Sequence, residues 1–436
     1  MTRGGMQRIL RCGTLYDGSG GEPRKDVAVF IFGTKIEKVI PWQTVERDKE
    51  DQVEDYSNNV VSPGFIDAHV HLVLTCQEEH DRNREVLEKA LPEELMSVAL
   101  RNCADSLLGG VTTVRDLGDI GYVTVTVRNL VNKGVMPGPS IFVAGPPITT
   151  TAGHLHFCGN TADTMDEIRK AVRRSCEKEV DVIKVMASGG NTTRGSNPMM
   201  PQYEIDELRV LVNEAHRLKR RVAAHTLEAK RIRRSIAAGV DTLEHCTWRG
   251  IEAEDNDPQQ LVDLLKNSQT MVTLTLAGIH RALLGMHPNL SGIVASSSKA
   301  ASPTGKLNQD FTWAKELIKN NIDVALASDA GARFTSFRDF NETVEAAIMA
   351  LDIKLEHAIA MATRIAAKAI GISEKVGTIE AGMQADLNIF DIPEAGKNLG
   401  RIKDVYKQGS KVVENSNLVF PANKAFGTLN TDELKG

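Results

Sequence analysis

The stretch Pro63-Gly64-Phe65-Ile66-Asp67-Ala68-His69-Val70-His71 decides how this chain is read. Its centre, Phe65–His71, is an apolar run of strand length that ends in two imidazoles at i and i+2. Side chains alternate between the faces of a strand, so His69 and His71 project to one side and both could bind a single ion. Taken alone, a His-x-His pair is more commonly a solvated or packed pair of histidines. The polar end of an apolar strand is, however, where an α/β barrel keeps its active site.

Working outward, seven more short apolar runs follow: Val111–Arg115, Ser140–Ala144, Val182–Met186, Arg221–His225, Asp241–His245, Met271–Leu276 and Asp323–Ser328. Longer stretches separate them, and two of these, Met165–Lys178 and Glu204–Lys219, carry apolar residues at helical spacing with charged outer faces. Eight such βα units within residues 63–371 predict an α/β fold of the (β/α)8 TIM-barrel kind. The ends of the chain have a different texture. Arg8–Leu10, Val27–Phe32 and Lys35–Ile40, punctuated by the turn at Gly18–Gly21, read as small antiparallel strands, and β texture returns in Leu387–Phe390, Asp404–Gln408 and Lys411–Val413. Residues 1–62 and 372–436 are therefore expected to pair into one small domain. Two stretches rich in Gly, Ser, Thr, Asn and Pro, 147–164 and 277–310, read as long loops of the kind that serve as lids or are disordered.

Composition narrows the function classes. With 436 residues, 42% hydrophobic and 25% charged, the chain has globular composition and room for a large core. The 52 Lys+Arg against 57 Asp+Glu leave −5 with no long run of one sign, which argues against nucleic-acid and polybasic membrane partners. Six scattered cysteines without a C-x-x-C pair read as reduced thiols. The N-terminal residues before Cys12 hold no apolar stretch of signal-peptide length and no span of about 18 apolar residues occurs anywhere, so a cytoplasmic protein is expected.

Four other strand ends finish in groups able to handle a metal: Lys184 in Asp181-Val-Ile-Lys-Val-Met, His225 in Val222-Ala-Ala-His-Thr, His245 in Thr242-Leu-Glu-His-Cys and Asp329 in Ala325-Leu-Ala-Ser-Asp-Ala-Gly. One histidine at a strand end is ordinarily a satisfied core residue. Six ligand-type residues converging on one rim are a different matter. Lys184 nevertheless has a plain alternative, pairing with Asp329 or reaching solvent, and Asp329 has one as a cap before Ala330-Gly331.

This ordered set, with the late Gly377-Thr-Ile-Glu-Ala-Gly-Met-Gln-Ala-Asp-Leu, resembles the amidohydrolase superfamily, and within it the imidazolonepropionase-like branch that includes Xaa-Pro-type dipeptidases and ochratoxin-type amidases. The resemblance covers nearly the whole chain. It implies a TIM barrel beside a β-sandwich built from both termini, and often a homo-oligomer. It also implies two Zn2+ ions, or other divalent metals: His69 and His71 at the more buried one, His225 and His245 at the more exposed one. Imidazoles suit zinc, whereas a free lysine with a pKa near 10.4 would be repelled by it. The resemblance resolves this by making Lys184 an N6-carboxylated bridge. Asp329 would bind the first ion, act as base towards a metal-bridging hydroxide, and return the proton to the leaving amine.

Substrate contacts are read more broadly. His154 in Gly153-His-Leu-His-Phe is preferred to His156 as a catalytic or substrate-binding residue, because related dipeptidases carry a histidine after a glycine on this loop. Arg194 and Tyr203 are candidates for a substrate carboxylate. The chain departs from some dipeptidases of the branch in having Leu227, where they carry a tyrosine two residues after the fifth-strand histidine. Cys246 reads as a small packed thiol, and His80, His216, His280, His287 and His357 receive no role. The expected activity is metal-dependent cleavage of an amide in a dipeptide, N-acyl amino acid or similar small molecule. A cyclic-amide or carbamate/urea-type hydrolase on the same site is the alternative. A non-catalytic scaffold would be marked by lost ligands, and every ligand position here is filled.

Overall fold

Four strands open the chain: β1 (Arg8–Leu15), β2 (Arg24–Phe32), β3 (Lys35–Pro41) and β4 (Gln52–Pro63). Eight parallel strands follow: β5 (Phe65–Val70), β6 (Val111–Asp116), β7 (Ser140–Val143), β8 (Val182–Met186), β9 (Arg221–Glu228), β10 (Thr242–Arg249), β11 (Met271–Thr275) and β12 (Val324–Ala327). Four short strands end the chain: β13 (Leu387–Phe390), β14 (Ile402–Lys407), β15 (Ser410–Glu414) and β16 (Asn417–Leu418). This is the architecture of a computed structural model that describes residues 7–46, 51–77, 80–249, 257–276, 311–332 and 335–419. The expected loop at 277–310, with His280 and His287, lies outside the described residues.

The eight apolar runs of the sequence are the eight barrel strands, each within a few residues of its expected limits. They pair in parallel as β5-β6-β7 and as β8-β9-β10-β11-β12. Backbone bonds join the two sets. Ile148 donates to Lys184 O at 2.8 Å and accepts from Met186 at 3.0 Å, tying the segment after β7 to β8. At the other seam Asp329 donates to His69 O at 2.9 Å and His71 to Ala330 O at 2.8 Å. The buried Asp67 carboxyl adds a side-chain tie by accepting from the Ser328 amide at 2.9 Å. Both seams run through residues of the expected site, so the bonds that join the two strand sets also hold the rim residues together. Strands covered on both sides should be apolar throughout, and β8 is buried at all five positions.

The helices follow the 3.6-residue pattern. Met165–Glu177 begins at a capping box in which Thr164 accepts from the Glu167 amide while Glu167 accepts from the Thr164 amide, and it buries Ile168, Ala171 and Val172. The segment 147–164 is a packed loop: Thr149 pairs with Thr161, and the buried Asn160 donates to Pro146 O at 3.0 Å.

The strands of both chain ends form one eight-stranded sheet in the order β16-β15-β14-β13-β4-β1-β2-β3. Apolar side chains from across it, including Leu10, Val29, Ile36, Val61, Leu387 and Ile389, meet in one core. β4 runs directly into β5 through Pro63-Gly64. Thus the sheet anchors the strand that carries His69 and His71.

Candidate metal centre

His69 and His71 leave β5 on the same side, as a two-residue period requires. Each ring is turned by a bond to its inner nitrogen. His69 Nδ1 lies 2.9 Å from Glu244 Oε2, and His71 Nδ1 lies 3.3 Å from Gly118 O. Both Nε2 atoms consequently face Asp329, at 3.7 Å from His69 and 3.4 Å from His71. The ligand atoms of these three residues lie within 4.8 Å of one another, a spacing that can hold a metal ion. Burial would raise the Asp329 carboxyl, but the hydrogen bond from His71 and the neighbouring imidazoles hold it well below the usual carboxylate range. Burial likewise opposes protonation of His71, yet Asp329 prevails and raises that imidazole.

The imidazoles continue around the rim. Ring centroids step 5.3 Å from His71 to His69, 4.8 Å to His245, 4.8 Å to His225 and 4.9 Å to His154. Burial lowers His69 and His225 far below their ordinary value and takes His245 to about 4. These three are neutral at pH 7, the form that binds a metal. The expected split into a more buried and a more exposed pair is not visible in the rings themselves. His69 and His225 are buried, whereas His71 and His245 are partly exposed.

His245 reaches the rim in a way that strand alternation does not allow. Glu244 already points inward to His69, so on a regular strand His245 would point outward. Instead its backbone turns left-handed, with φ +67°, and the pairing of β10 with β9 shifts there. Asp329 is left-handed too, with φ +61°. Such backbone is uncommon outside glycine, and surrounding structure must hold it in place.

Lys184 occupies the floor. Its residue is 2% exposed, and among the described residues its Nζ has no hydrogen-bond partner. Neither plain alternative, an ion pair with Asp329 or an escape to solvent, is what the fold contains. Burial pushes this amine down to about 8. Neutral imidazoles, a carboxylate and an orphaned amine form a nitrogen and oxygen donor set that suits a borderline divalent cation.

Of the expected substrate contacts, His154 joins the site. It is buried, its Nδ1 lies 3.1 Å from Thr193 Oγ1, and a Cβ on Gly190 would fall 2.4 Å from its Nε2, so that position requires glycine. Tyr203 does not join it. Its ring is in the core and its hydroxyl donates to Ala162 O at 2.9 Å, because the segment after β8 folds back against the loop after β7. Arg194 also stays away, exposed on that segment and outside the cavity wall. Residues that sequence reading missed lie beneath the ligands. Glu244 orients His69, and Arg115 donates to Glu244 Oε1 at 2.8 Å. The signal was present as ionisable residues inside apolar strand runs, Val-Arg-Asp in β6 and Leu-Glu-His in β10.

A cavity of about 200 Å³ lies over these side chains, with Leu74, Leu87, Leu155, Met186 and Leu227 on its walls and Arg84 at one side. The amidohydrolase family model matches residues 60–414 of this chain. The chain belongs to the amidohydrolase family. This amidohydrolase is an enzyme, a hydrolase acting on C–N bonds. It is 27% identical to the ochratoxinase of Aspergillus niger over 410 residues, covering 87% of this chain and 80% of the relative. It is 23% identical to the imidazolonepropionase of Picrophilus torridus, covering 88% and 93%. In fold it resembles the crystal structure of a Xaa-Pro dipeptidase with bound methionine, at TM-score 0.77 and 24% identity over 93% of this chain and 99% of that one. No helix among the described residues is long and apolar enough to cross a membrane.

Proposed function

We propose that this amidohydrolase cleaves the amide bond of a dipeptide, an N-acyl amino acid or a similar small amide with an apolar portion, using divalent metal, with zinc as the expected ion. The observation that carries this reading is the buried, unpartnered Lys184 Nζ among four metal-capable imidazoles and Asp329. An amine held near 8 has an appreciable neutral fraction at pH 7, and that form reacts with CO2. The N–C bond forms, the nitrogen proton leaves to solvent, and the side chain becomes a carbamate anion whose two oxygens replace a repelled cation. His69, His71 and Asp329 would hold one ion, His225 and His245 a second, with the carboxylated Lys184 shared between them. Divalent ions held there acidify water and polarise a carbonyl.

The remaining work belongs to the chain. Asp329, kept ionised by His71, is the base that takes the proton of the attacking water and then returns it to the amine that leaves. His154, bonded to Thr193, sits at the opposite end of the imidazole arc, and in this reading it would contact the amide carbonyl oxygen. The leucines of the wall desolvate the apolar portion. A second reading, a cyclic-amide or carbamate/urea hydrolase, uses the same groups. Leu227 on the wall is the observation in its favour, since its side chain offers no hydrogen bond to a dipeptide carboxylate.

The test is elemental analysis of protein purified with bicarbonate and without chelator, followed by turnover on dipeptides, N-acyl amino acids and cyclic amides. About two ions per chain with cleavage of linear amides supports the proposal, and Asp329→Asn should then lower kcat by about 10²- to 10⁴-fold. One ion with cleavage of cyclic amides alone moves the second reading forward. Metal-free protein that stays inert after reconstitution overturns both.

A further inference from the structure

The helix His80–Lys89, which follows β5, presents Asn83, Arg84 and Leu87 to the cavity. Asn83 is 1% exposed and its Nδ2 donates to Gly331 O at 3.4 Å, two residues from Asp329. That bond ties the helix to the loop bearing the catalytic carboxylate. Arg84, the next residue, therefore has a defined place on the wall.

Its guanidinium lies over the Phe157 ring, with Cζ 5.8 Å from the centroid, and Phe157 belongs to the same loop as His154. Glu88 accepts from its Nε at 2.9 Å. Among the described residues its terminal amino groups have no hydrogen-bond partner. The fork is thus aimed from behind and open in front. Among the described wall residues, Arg84 and Lys184 carry the lysine and arginine charges, and Lys184 is committed to the floor. The wall that Arg84 shares with Leu87 and Leu155 is apolar at those positions, which strengthens a charge-assisted bond made there.

We infer that Arg84 determines specificity by binding a substrate carboxylate through its two terminal amino groups, while the adjacent leucines take the apolar side chain. The inference rests on the amide-hydrolase reading and moves to Arg84 the role that sequence reading offered to Arg194 and Tyr203. A planar fork that accepts both carboxylate oxygens is what arginine supplies and lysine does not.

The test is calorimetric titration of the metal-loaded protein with 4-methylpentanoate and, separately, with neutral 4-methylpentanamide. Wild type should bind the acid at least about tenfold more tightly than the amide. Arg84→Met should weaken the acid about 10- to 100-fold and shift the amide less than about twofold, and Arg84→Lys should fall between. Folding is not at stake, since the Arg84–Glu88 pair is a partly exposed i,i+4 pair on the helix surface, a kind that contributes little to stability. Unchanged acid binding in Arg84→Met would overturn the inference, because the carboxylate would then be held elsewhere. Equal weakening of acid and amide, or a wild type that binds no acid, would overturn it too. The readout is binding, so failure of the hydrolase reading shows separately, as an amide panel left uncleaved by wild type.

Discussion

Two buried cations stand in the same barrel, and the fold treats them in opposite ways. Arg115 on β6 is 2% exposed and fully engaged: Nε donates to Ala68 O at 2.7 Å, Nη1 to Thr242 Oγ1 at 3.1 Å and Nη2 to Glu244 Oε1 at 2.8 Å. Lys184 on β8 is equally buried, and among the described residues its Nζ has no hydrogen-bond partner. Arg115 with Glu244 is a closed structural unit whose free carboxylate oxygen is spent on aiming His69. Lys184 is an open valence. A buried amine left unpaired costs stability, and the bridging role proposed for Lys184 would offset that cost.

The contrast breaks most sharply at Lys184. Lys184→Ala should reduce kcat/KM by about 10³-fold or more, with partial rescue by formate, acetate or propionate filling the bridge, and full activity in this variant would remove the bridging role. Stability should respond in the other direction. In metal-free wild type the folded lysine titrates near 8 and the unfolded one near 10.5, so the unfolded state binds more protons between those values and stability rises with pH across that window. Denaturant titration of Lys184→Ala should lack this rise.

Arg115→Met is the complementary case. Removing one partner strands Glu244 as an unpaired buried charge, and urea unfolding should show a loss of about 3–5 kcal/mol. A loss below about 1 kcal/mol would mean that the two cations are not treated differently after all. The smallest expected effect tests the link between the two layers. Glu244→Gln keeps the shape but weakens the hold on His69 Nδ1, and chelator competition should report metal affinity lowered by about 10- to 100-fold. Unaltered metal retention would confine Glu244 to a structural role.

The barrel was legible because its strands are buried on both faces, which writes each of them as an apolar run, and the runs ended where the rim begins. His69, His71, Lys184, His225, His245 and Asp329 were legible as polar residues closing those runs. His154 was singled out through the resemblance to dipeptidases that carry a histidine after a glycine on this loop. What failed was anything that depended on the path of a loop. Tyr203 and Arg194 sit on the segment after β8, whose course is set by packing against residues 148–162, and no local pattern encodes which way its side chains turn. Arg84 was passed over for the same reason: on a polar helix it looks like one more solvated charge, and only the Asn83–Gly331 bond brings it to the wall.

The sequence alone therefore determined the order and type of the elements and which polar residues close the strands, because burial on two faces and period-two alternation are properties of neighbours along the chain. Tertiary structure decided which atoms meet. It swung His245 and Asp329 inward through left-handed backbone, turned each imidazole by a distant acceptor, left Lys184 without a partner and closed the rim at the β5–β12 seam. Those outcomes depend on contacts between residues tens to hundreds of positions apart, which become fixed only when the whole ring of strands is packed.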